Sequence, residues 1–409
     1  MGSAGEPGSV RAYAAVVDSG ECGLNATYTL DSDGTLTISG SGKINDQVFE
    51  DNNNIKKVII NDGITSIGDS AFNWCENLEA ASIPDSVTEI GVNTFNMTKL
   101  THSQTTDLKY VDGWLVGCGY NEVSVVVPGD VRGIANGAFY YSLESVTLSE
   151  GITVIPDKAF YGCDDLKEVN IPTSVNKIGI HAFYNCTSLK TVTVPEGVSV
   201  INEKTFYGCT ALEEVKLPST VTKIEDYAFW NCTGLKKIDI PKGVIDIGNS
   251  VFYNCTSLAD VNIPDTVRTI GDHAFASCGS LKSLTVPESV ETIGDLAFGF
   301  SWNSSWEINL QKVPDFKLYC YRYSGAENYA VNNGIDYELL DSGFIKGDIN
   351  FDTKVDTKDA MKAVAFDKKT AAPKNDDEFR AADVNGDEKL DSKDAMVIIN
   401  AVKNKTAIK

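Results

Sequence analysis

The segment that decides the fold runs from Ala159 to Pro172 and reads AFYGCDDLKEVNIP. It returns every 23 residues as AFYNCTSLKTVTVP at Ala182, TFYGCTALEEVKLP at Thr205, AFWNCTGLKKIDIP at Ala228, VFYNCTSLADVNIP at Val251 and AFASCGSLKSLTVP at Ala274. Self-similarity at a fixed period is typical of a solenoid, in which each coil buries its apolar face by stacking on its neighbours. The sequence therefore predicts a stack of coils whose function depends on its surfaces and on whatever segment attaches it to a partner.

The pattern inside one repeat predicts a mostly β coil. Val169 and Ile171 alternate inward along a strand that Pro172 ends, because proline cannot donate to a ladder. In five coils the residue before the repeat cysteine is Gly or Asn, which tolerate a positive φ, so a left-handed residue is expected to close that turn. These residues are Gly162, Asn185, Gly208, Asn231 and Asn254. By contrast, Gly179 aligns with Asn202 and Glu225, so that glycine is interpreted as optional. The repeat phenylalanine predicts about ten coils, at Phe72, Phe95, Phe139, Phe160, Phe183, Phe206, Phe229, Phe252, Phe275 and Phe298.

Non-repeating segments flank and interrupt the coils. Residues 1–15 are interpreted as a leader or tag remnant, and residues 16–57 as a β-hairpin cap with turn residues at Asp31–Gly34. The coils are placed at residues 58–300, with a hairpin insertion at residues 101–122.

Residues 301–342 break the period and are predicted to cap the last coil. They contain a strand, a short helix around Ala326–Asn332 and a final strand ending near Leu340. A cap is required because the last coil would otherwise expose the apolar face that stacking covers elsewhere.

Ten cysteines resemble a disulfide count, but most share one repeat position. A position that recurs once per coil forms a line along the stack and is usually buried, which predicts unbridged, packed thiols. The six residues assigned to this line are Cys163, Cys186, Cys209, Cys232, Cys255 and Cys278. The redox state of Cys22, Cys118 and Cys320 is left open.

Charge excludes some partners and marks a second domain. The formal net charge of -22 argues against nucleic acid or an anionic membrane as a partner. No apolar run approaches membrane-spanning length. Residues 344–409 hold 13 acidic and 13 basic residues, whereas the remainder holds 44 and 22. This change and the loss of the repeat predict a separate domain at residues 343–409.

Two segments of this tail, Asp348–Asp359 and Asp383–Asp394, match over 12 positions at an offset of 35 residues. Each carries side-chain oxygens at positions 1, 3, 5, 9 and 12, with a backbone carbonyl expected at position 7, as Ca²⁺ requires. Thr353 and Glu388 stand where such loops usually have glycine. The predicted ligands are Asp348, Asn350, Asp352, Lys354, Asp356 and Asp359 for one ion, and Asp383, Asn385, Asp387, Lys389, Asp391 and Asp394 for a second.

The duplicated loop, each copy ending in Asp and followed by one helix, resembles a type I dockerin. That resemblance implies a small all-α, calcium-binding module that binds a cohesin of a cellulosome scaffold. It also implies that Thr357-Lys358 and Ser392-Lys393 select the cohesin. Met361 and Met396 recur at equivalent sites, where contact with the partner and a core role are equally compatible with the sequence.

Residues 16–340 resemble the BspA-like leucine-rich repeat family, through AFxxC, LxxVxIP, TLDSDGTLTISG and VDGWLVGC. That resemblance implies secreted binding or adhesion without enzyme activity. The first hypothesis is a non-catalytic component of a cell-surface cellulosome, linked to polysaccharide degradation. The alternative is an inhibitor or regulator of secreted enzymes, such as proteases, in the same assembly.

No catalytic site is expected in the solenoid. His102, His181 and His273 show neither metal-ligand nor triad spacing, and His181 and His273 are interpreted as solvent-side residues. With 44 acidic residues outside the tail, apposed carboxylate pairs arise by chance and do not indicate a glycoside hydrolase.

One aromatic residue follows the repeat phenylalanine in six coils. Such a stripe could bind a glycan or a protein by stacking. The alternative is a structural role, in which each ring packs on the next coil, and this interpretation is favoured. The stripe consists of Tyr140, Tyr161, Tyr184, Tyr207, Trp230 and Tyr253.

Overall fold

Strands of successive coils pair in parallel at an offset of 23 residues, as at Val192 with Val215 and Ile224 with Ile247. The predicted solenoid is confirmed. The computed structural model describes residues 14–119, 123–139, 143–302, 310–322, 324–340, 347–352, 354–374, 376–385, 387 and 389–404. The chain divides into two units, Met1–Glu338 and Leu339–Lys409.

Each coil contributes one strand to each of two ladders. The first ladder carries the LxxVxIP pattern and contains Lys57–Ile60, Ala80–Ser82, Ser124–Val127, Ser145–Leu148, Glu168–Asn170, Thr191–Thr193, Glu214–Lys216, Lys237–Asp239, Asp260–Asn262 and Ser283–Thr285. The second contains Ile64–Ile67, Glu89–Ile90, Gly133–Ile134, Val154–Ile155, Lys177–Ile178, Val200–Ile201, Lys223–Ile224, Asp246–Ile247, Thr269–Ile270 and Thr292–Ile293.

A column of stacked phenylalanines forms the centre of the first unit. Neighbouring rings are nearly parallel, with centroids 4.7–5.5 Å apart, on both sides of the insertion. Phe49 also stacks on Phe72, so the column begins one coil earlier than the sequence count. Because each ring is covered by its two neighbours, burial of one coil depends on the next.

The left-handed residue predicted at the Gly and Asn before the repeat cysteine is confirmed, with φ of 56° at Asn185, 73° at Gly208 and 59° at Asn231. Trp74 and Ser277 hold the same place with φ of 60° and 61°. A second left-handed position lies four residues earlier and was not predicted. It is occupied by ordinary side chains, with φ between 51° and 59°: Lys158, His181, Lys204, Tyr227, Ser250 and His273. The backbone between them forms hydrogen-bonded turns rather than a helix.

The glycine interpreted as optional is coupled to the preceding coil. Asp226 Oδ1 accepts from the backbone N–H of Asn249, 2.8 Å away. A Cβ on Gly248 would lie 2.5 Å from that same oxygen. Asn202 and Glu225 follow coils that carry Ile180 and Glu203, rather than Asp or Asn, at the equivalent place. The bonded pairs, each with a glycine beside the acceptor, are Asp46–Asp69, Asp69–Val92, Asp157–Ile180, Asp226–Asn249, Asn249–Asp272 and Asp272–Asp295.

The repeat cysteines are buried, unbridged thiols, as predicted, and Cys75 adds a seventh to the six assigned from sequence. Each Sγ donates to the carbonyl of the repeat phenylalanine one coil earlier, for example Cys232 to Phe206 at 3.2 Å. Burial raises the pKa of the Cys75 thiol to about 11 and of the Cys163 and Cys278 thiols to about 12. The thiol column therefore remains neutral at physiological pH.

The N-terminal segment starts both ladders. The predicted hairpin pairs Asn25–Asp31 with Thr35–Ile44, and a third antiparallel strand, Val16–Gly23, lies outside it. Strand Thr35–Ile44 pairs in parallel with Lys57–Ile60 near its start and with Ile64–Ile67 near its end. One strand thus serves as the template for two ladders.

A hairpin interrupts the stack after Phe95. A short helix, Lys99–His102, precedes strands Leu108–Val111 and Trp114–Cys118, which pair antiparallel around Asp112–Gly113. Strand Trp114–Cys118 also pairs in parallel with Gly133–Ile134.

The last coil is covered by residues outside the repeat. Strands Phe300–Trp302 and Leu310–Lys312 pair antiparallel, and Lys317–Cys320 extends the first ladder beside Ser283–Thr285. Helix Gly325–Asn333 and strand Asp336–Leu339 agree with the elements predicted there.

Tyr329, on this capping helix, completes the hydrogen bonding of the final repeat phenylalanine. Its hydroxyl donates to the carbonyl of Phe298 at 3.1 Å and accepts from its N–H at 3.2 Å. Elsewhere a cysteine thiol and a carbonyl of the next coil fill these two roles, as Cys255 and Val251 do for Phe229. One phenol group thus supplies both of the hydrogen bonds that a further coil would give to Phe298.

The described residues of the second unit form three helices, Thr357–Asp367, Asp376–Ala382 and Ser392–Asn404. The first and third follow the two acidic loops, as predicted, and the middle one was not predicted. Their small core contains Ile349, Ala363, Phe366, Ala382, Val384, Ala395 and Ile398.

Truncation of a mid-stack ring should destabilise the solenoid strongly. Phe229 is 0% exposed, and its ring stacks between Phe206 and Phe252. Phe229→Ala should lower the free energy of unfolding by about 3–5 kcal/mol, measured by denaturant titration. Cys232→Ala is the matched control, because it removes a smaller buried side chain from the same coil. Equal losses for the two variants would contradict the central role of the ring column.

The thiol column should make the solenoid sensitive to alkali. A pKa raised from 9.0 to about 12 at Cys163 means that the folded state favours the protonated thiol. Its contribution to stability is fully present below pH 9 and is lost as the pH rises toward 12. The midpoint denaturant concentration should therefore fall across this window. Because Lys and Tyr also titrate there, the comparison is with Cys163→Ala, whose decline should be shallower. Parallel curves would refute the assignment.

Candidate calcium and docking site

Asp359 closes the first acidic loop onto the helix that follows it. Asp356 caps that helix, its Oδ1 accepting from Lys358 N at 2.7 Å, and Asp359 Oδ2 accepts in return from Asp356 N at 3.0 Å. The other oxygen of Asp359 accepts from Ile349 N and Asn350 N, at 2.8 and 2.9 Å. An aspartate at position 12 therefore joins both ends of the loop to the first helical turn.

The second loop repeats this pattern. Asp391 Oδ1 accepts from Lys393 N at 2.8 Å, and Asp394 Oδ2 accepts from Asp391 N at 3.1 Å. Asp394 Oδ1 accepts from Asn385 N at 3.3 Å, as Asp359 does from Asn350. The duplication seen in the sequence is thus a duplication of geometry.

Each loop gathers three of its predicted ligands into one cluster. Within the set Asp348, Asp352 and Asp359, one carboxylate oxygen of each lies within 4.8 Å of those of the other two. Asp383, Asp387 and Asp394 meet the same criterion. Four of these six side chains are at least nine-tenths buried: Asp348, Asp359, Asp383 and Asp394. Like charges at this spacing repel strongly when buried, so the clusters fit a hard divalent cation.

The remaining predicted ligands serve the loop backbone. Asn350 Oδ1 and Asn385 Oδ1 accept from the N–H of Asp352 and Asp387, each at 2.8 Å. Asp356 and Asp391 cap the helices, and Lys354 and Lys389 donate backbone N–H groups to the aspartate at position 5. The position-6 residues, Thr353 and Glu388, lie outside the described residues.

The flanking face is also repeated. Thr357, Lys358, Ser392 and Lys393 are exposed, and Lys358 Nζ lies 3.7 Å from Asp352 Oδ2 as Lys393 Nζ lies 4.0 Å from Asp387 Oδ2. One turn along each helix, Met361 is 74% exposed and Met396 is 55% exposed. The choice between a core and a surface role for these methionines is therefore settled in favour of the surface.

A buried ion pair, missed from sequence, ties the middle helix to the first loop. Glu378 is 3% exposed and contacts the ammonium group of Lys362. Lys362 Nζ also donates to the carbonyl of Ile349, 3.1 Å away, inside the first loop. The signal for this helix was the Asp376-Asp377-Glu378 run, since acidic residues favour the first turn.

The solenoid stripe forms a second column beside the phenylalanines. From Tyr161 through Tyr184, Tyr207 and Trp230 to Tyr253, neighbouring rings are within 8° of parallel, with centroids 4.3–5.9 Å apart. Tyr140 lies outside the described residues. The rings are half-buried and cover one another's faces. This favours the packing interpretation, since stacking on a sugar requires an open face.

The three histidines belong to the first unit. His181 is half-buried, with its ring 5.5 Å from Tyr184, and burial lowers its pKa. His181 and His273 hold left-handed turn positions. None of the helices that the structure describes has the length and apolar character to cross a membrane.

Comparison with known proteins identifies both units. The BspA type leucine rich repeat region matches in six copies across residues 35–142, 115–235 and 199–329, and the dockerin type I domain matches residues 346–403. No curated protein matches the chain.

Solved structures of leucine-rich repeat proteins are similar to part of the chain. One from Eubacterium ventriosum is 22% identical, with 73% of this chain and 99% of that one covered and a TM-score of 0.33. A leucine rich cell surface protein from Faecalibacterium prausnitzii is 23% identical, with 78% and 94% covered and a TM-score of 0.39. One from Bacteroides ovatus is 24% identical, with 65% and 94% covered and a TM-score of 0.29.

Both matched modules are interaction modules rather than catalytic domains. A type I dockerin binds calcium and docks onto a cohesin module, which agrees with the two carboxylate clusters. The repeat match spans most of the chain, in agreement with the stacked coils. The chain therefore belongs to the BspA-type leucine-rich repeat family and carries a type I dockerin domain.

Proposed function

We propose that this protein is a non-catalytic component of an extracellular, cell-surface cellulosome, docked by its calcium-loaded dockerin onto a cohesin. The observation that supports this most directly is the repetition of one carboxylate cluster and one exposed face in both halves of the second unit. The solenoid is then the part that the dockerin brings to the assembly. It presents a glycan- or protein-binding surface linked to polysaccharide degradation.

Two calcium ions are proposed, one in each loop. Asp348, Asp352 and Asp359 supply carboxylate oxygens in the first, and Asp383, Asp387 and Asp394 in the second. The remaining predicted ligands complete each loop through a side-chain or backbone oxygen. A bound ion removes the repulsion between the buried carboxylates, so folding of this unit is coupled to calcium.

The cohesin-binding face is proposed to contain Thr357, Lys358 and Met361 in one half and Ser392, Lys393 and Met396 in the other. Exposed methionines fit this role, because Met adapts to varied partner surfaces. Since the two halves carry the same groups at the same places, a half-turn of the dockerin offers the cohesin nearly the same contacts. Two ions would add positive charge to a neutral unit, which favours an acidic cohesin face.

A role as inhibitor or regulator of secreted enzymes is the alternative for the solenoid, and no contact within the described ranges favours it. A protease-inhibition panel run with the full chain separates the two roles, because a binding component leaves the proteases active. Retention of the chain on insoluble polysaccharide tests the glycan link directly.

Calcium content should follow the two clusters. At fixed free calcium, the full chain should hold two ions by elemental analysis, and Asp352→Ala or Asp387→Ala should hold one, because each removes a ligand from one cluster. Chelator should make residues beyond 340 sensitive to protease while the solenoid stays resistant. Asp367→Ala, outside both loops, is the control and should keep both ions. Unchanged calcium content in both loop variants would contradict the assignment.

Binding to a cohesin should survive loss of either face. In calorimetric titrations of the full chain with a panel of cohesins, replacing Thr357-Lys358 alone or Ser392-Lys393 alone with alanine should leave the affinity within a few fold. Replacing both pairs should abolish binding, since no intact face remains. Chelator should abolish it as well.

Two results would count against this scheme. If one single pair abolishes binding, the dockerin binds in one orientation. If chelator leaves the affinity unchanged, the calcium assignment fails.

A further inference from the structure

The hairpin insertion opens a cleft in an otherwise regular stack. Strand Gly133–Ile134 pairs with hairpin strand Trp114–Cys118, whereas the strands from Lys223–Ile224 to Thr292–Ile293 each pair with the strand of the preceding coil. Among the described strands, Gly133–Ile134 therefore pairs with neither Glu89–Ile90 nor Val154–Ile155. A cavity of about 530 Å³ lies at this interruption, within the range of small-ligand sites.

Hydrogen bonds and ion pairs centred on Arg132 hold the hairpin in place. Arg132, whose side chain is 28% exposed, donates to Asp85 Oδ1 and Asp112 Oδ2, each at 3.1 Å, and to the carbonyl of Ile83 at 2.7 Å. Asp112 Oδ2 also accepts from the N–H of Ile83 at 2.6 Å. The turn of the hairpin is thus fixed to the coil before it, so one wall of the cleft is formed in advance of any ligand.

The cleft is lined by polar groups of both signs. Glu89 and Lys177 occupy the same place in the repeat, three coils apart, and line the cavity as exposed side chains of opposite charge. Asn136 donates to Glu89 Oε1 at 3.0 Å, and Asp157 also lines the cavity. Lys177 forms no ion pair with any residue that the structure describes. Trp114 is 4% exposed and belongs to the core beneath this lining.

We propose that this cleft binds a short neutral oligosaccharide, and that it is the ligand site of the solenoid. Sugar hydroxyls donate to carboxylates and accept from ammonium and amide groups at once, which matches Glu89, Asp157, Lys177 and Asn136. A mixed-sign lining discriminates against a free anion or cation, whereas a polyol is satisfied by both signs. The inference rests on the proposed role of the solenoid as a binding surface, and it places that surface away from the aromatic stripe.

The test is calorimetry of the full chain, in calcium, with xylo-, cello- and manno-oligosaccharides and with short zwitterionic peptides. At least one oligosaccharide should bind, and Lys177→Ala and Glu89→Gln should each weaken binding about tenfold, as expected for loss of one charged hydrogen bond. Lys223→Ala is the matched control, because Lys223 holds the same repeat position two coils away. Tyr207→Ala should also leave saccharide affinity unchanged.

Cohesin affinity, measured on the same samples, separates this inference from the proposed function. Retained cohesin binding with no oligosaccharide bound would overturn the cleft and leave the docking role standing. Peptide binding in place of saccharide binding would overturn the ligand class. Saccharide binding lost in Tyr207→Ala and kept in the two cleft variants would move the site to the stripe. If the wild-type chain binds no cohesin, the proposed docking is overturned, and the saccharide titrations alone then decide whether the cleft is a binding site.

Discussion

The first unit depends on one contact repeated along the stack, in which each phenylalanine bonds to the following coil through ring, N–H and carbonyl together. Phe206 stacks on Phe229, donates its N–H to the carbonyl of Ala228 and accepts the thiol of Cys232. Buried polar backbone requires a partner, and in the regular coils both partners belong to the next coil. Beside the insertion, the carbonyl of Phe95 accepts instead from Thr98 and Thr101. A single coil therefore satisfies neither its apolar nor its polar groups, which is why the fold exists only as a stack.

The same constraint determines how the stack ends and how it tolerates interruption. At the far end Tyr329 supplies both the donor and the acceptor that a further coil would supply. At the near end strand Thr35–Ile44 provides backbone partners for both ladders. At the insertion, hairpin strand Trp114–Cys118 pairs in parallel with Gly133–Ile134. In each case a non-repeating element reproduces the hydrogen bonds of a coil rather than its sequence.

The sequence predicts the period, the inward residues and the left-handed turn before five of the repeat cysteines, because these are fixed by spacing and by the special tolerance of Gly and Asn for positive φ. It does not reveal the second left-handed position, since Lys204 and Tyr227 carry no local signal for that conformation. In the dockerin unit the ligand loops can be predicted because their ligands also recur at a fixed spacing. The contact of buried Glu378 with Lys362 cannot be predicted, because it joins segments that meet only when the helices pack.

The pairing of an Asp or Asn in one coil with a glycine in the next means that the coils are not interchangeable modules. Glycine at that place follows an Asp or Asn, as Gly248 follows Asp226, where a Cβ would lie 2.5 Å from Asp226 Oδ1. The coils with Asn202 and Glu225 there follow Ile180 and Glu203 instead. Growth or shrinkage of the array by whole units is therefore directional: the junction must respect the order of the two coils it joins. The number of coils can therefore vary, but each new junction must keep a glycine in the coil that follows an Asp or Asn.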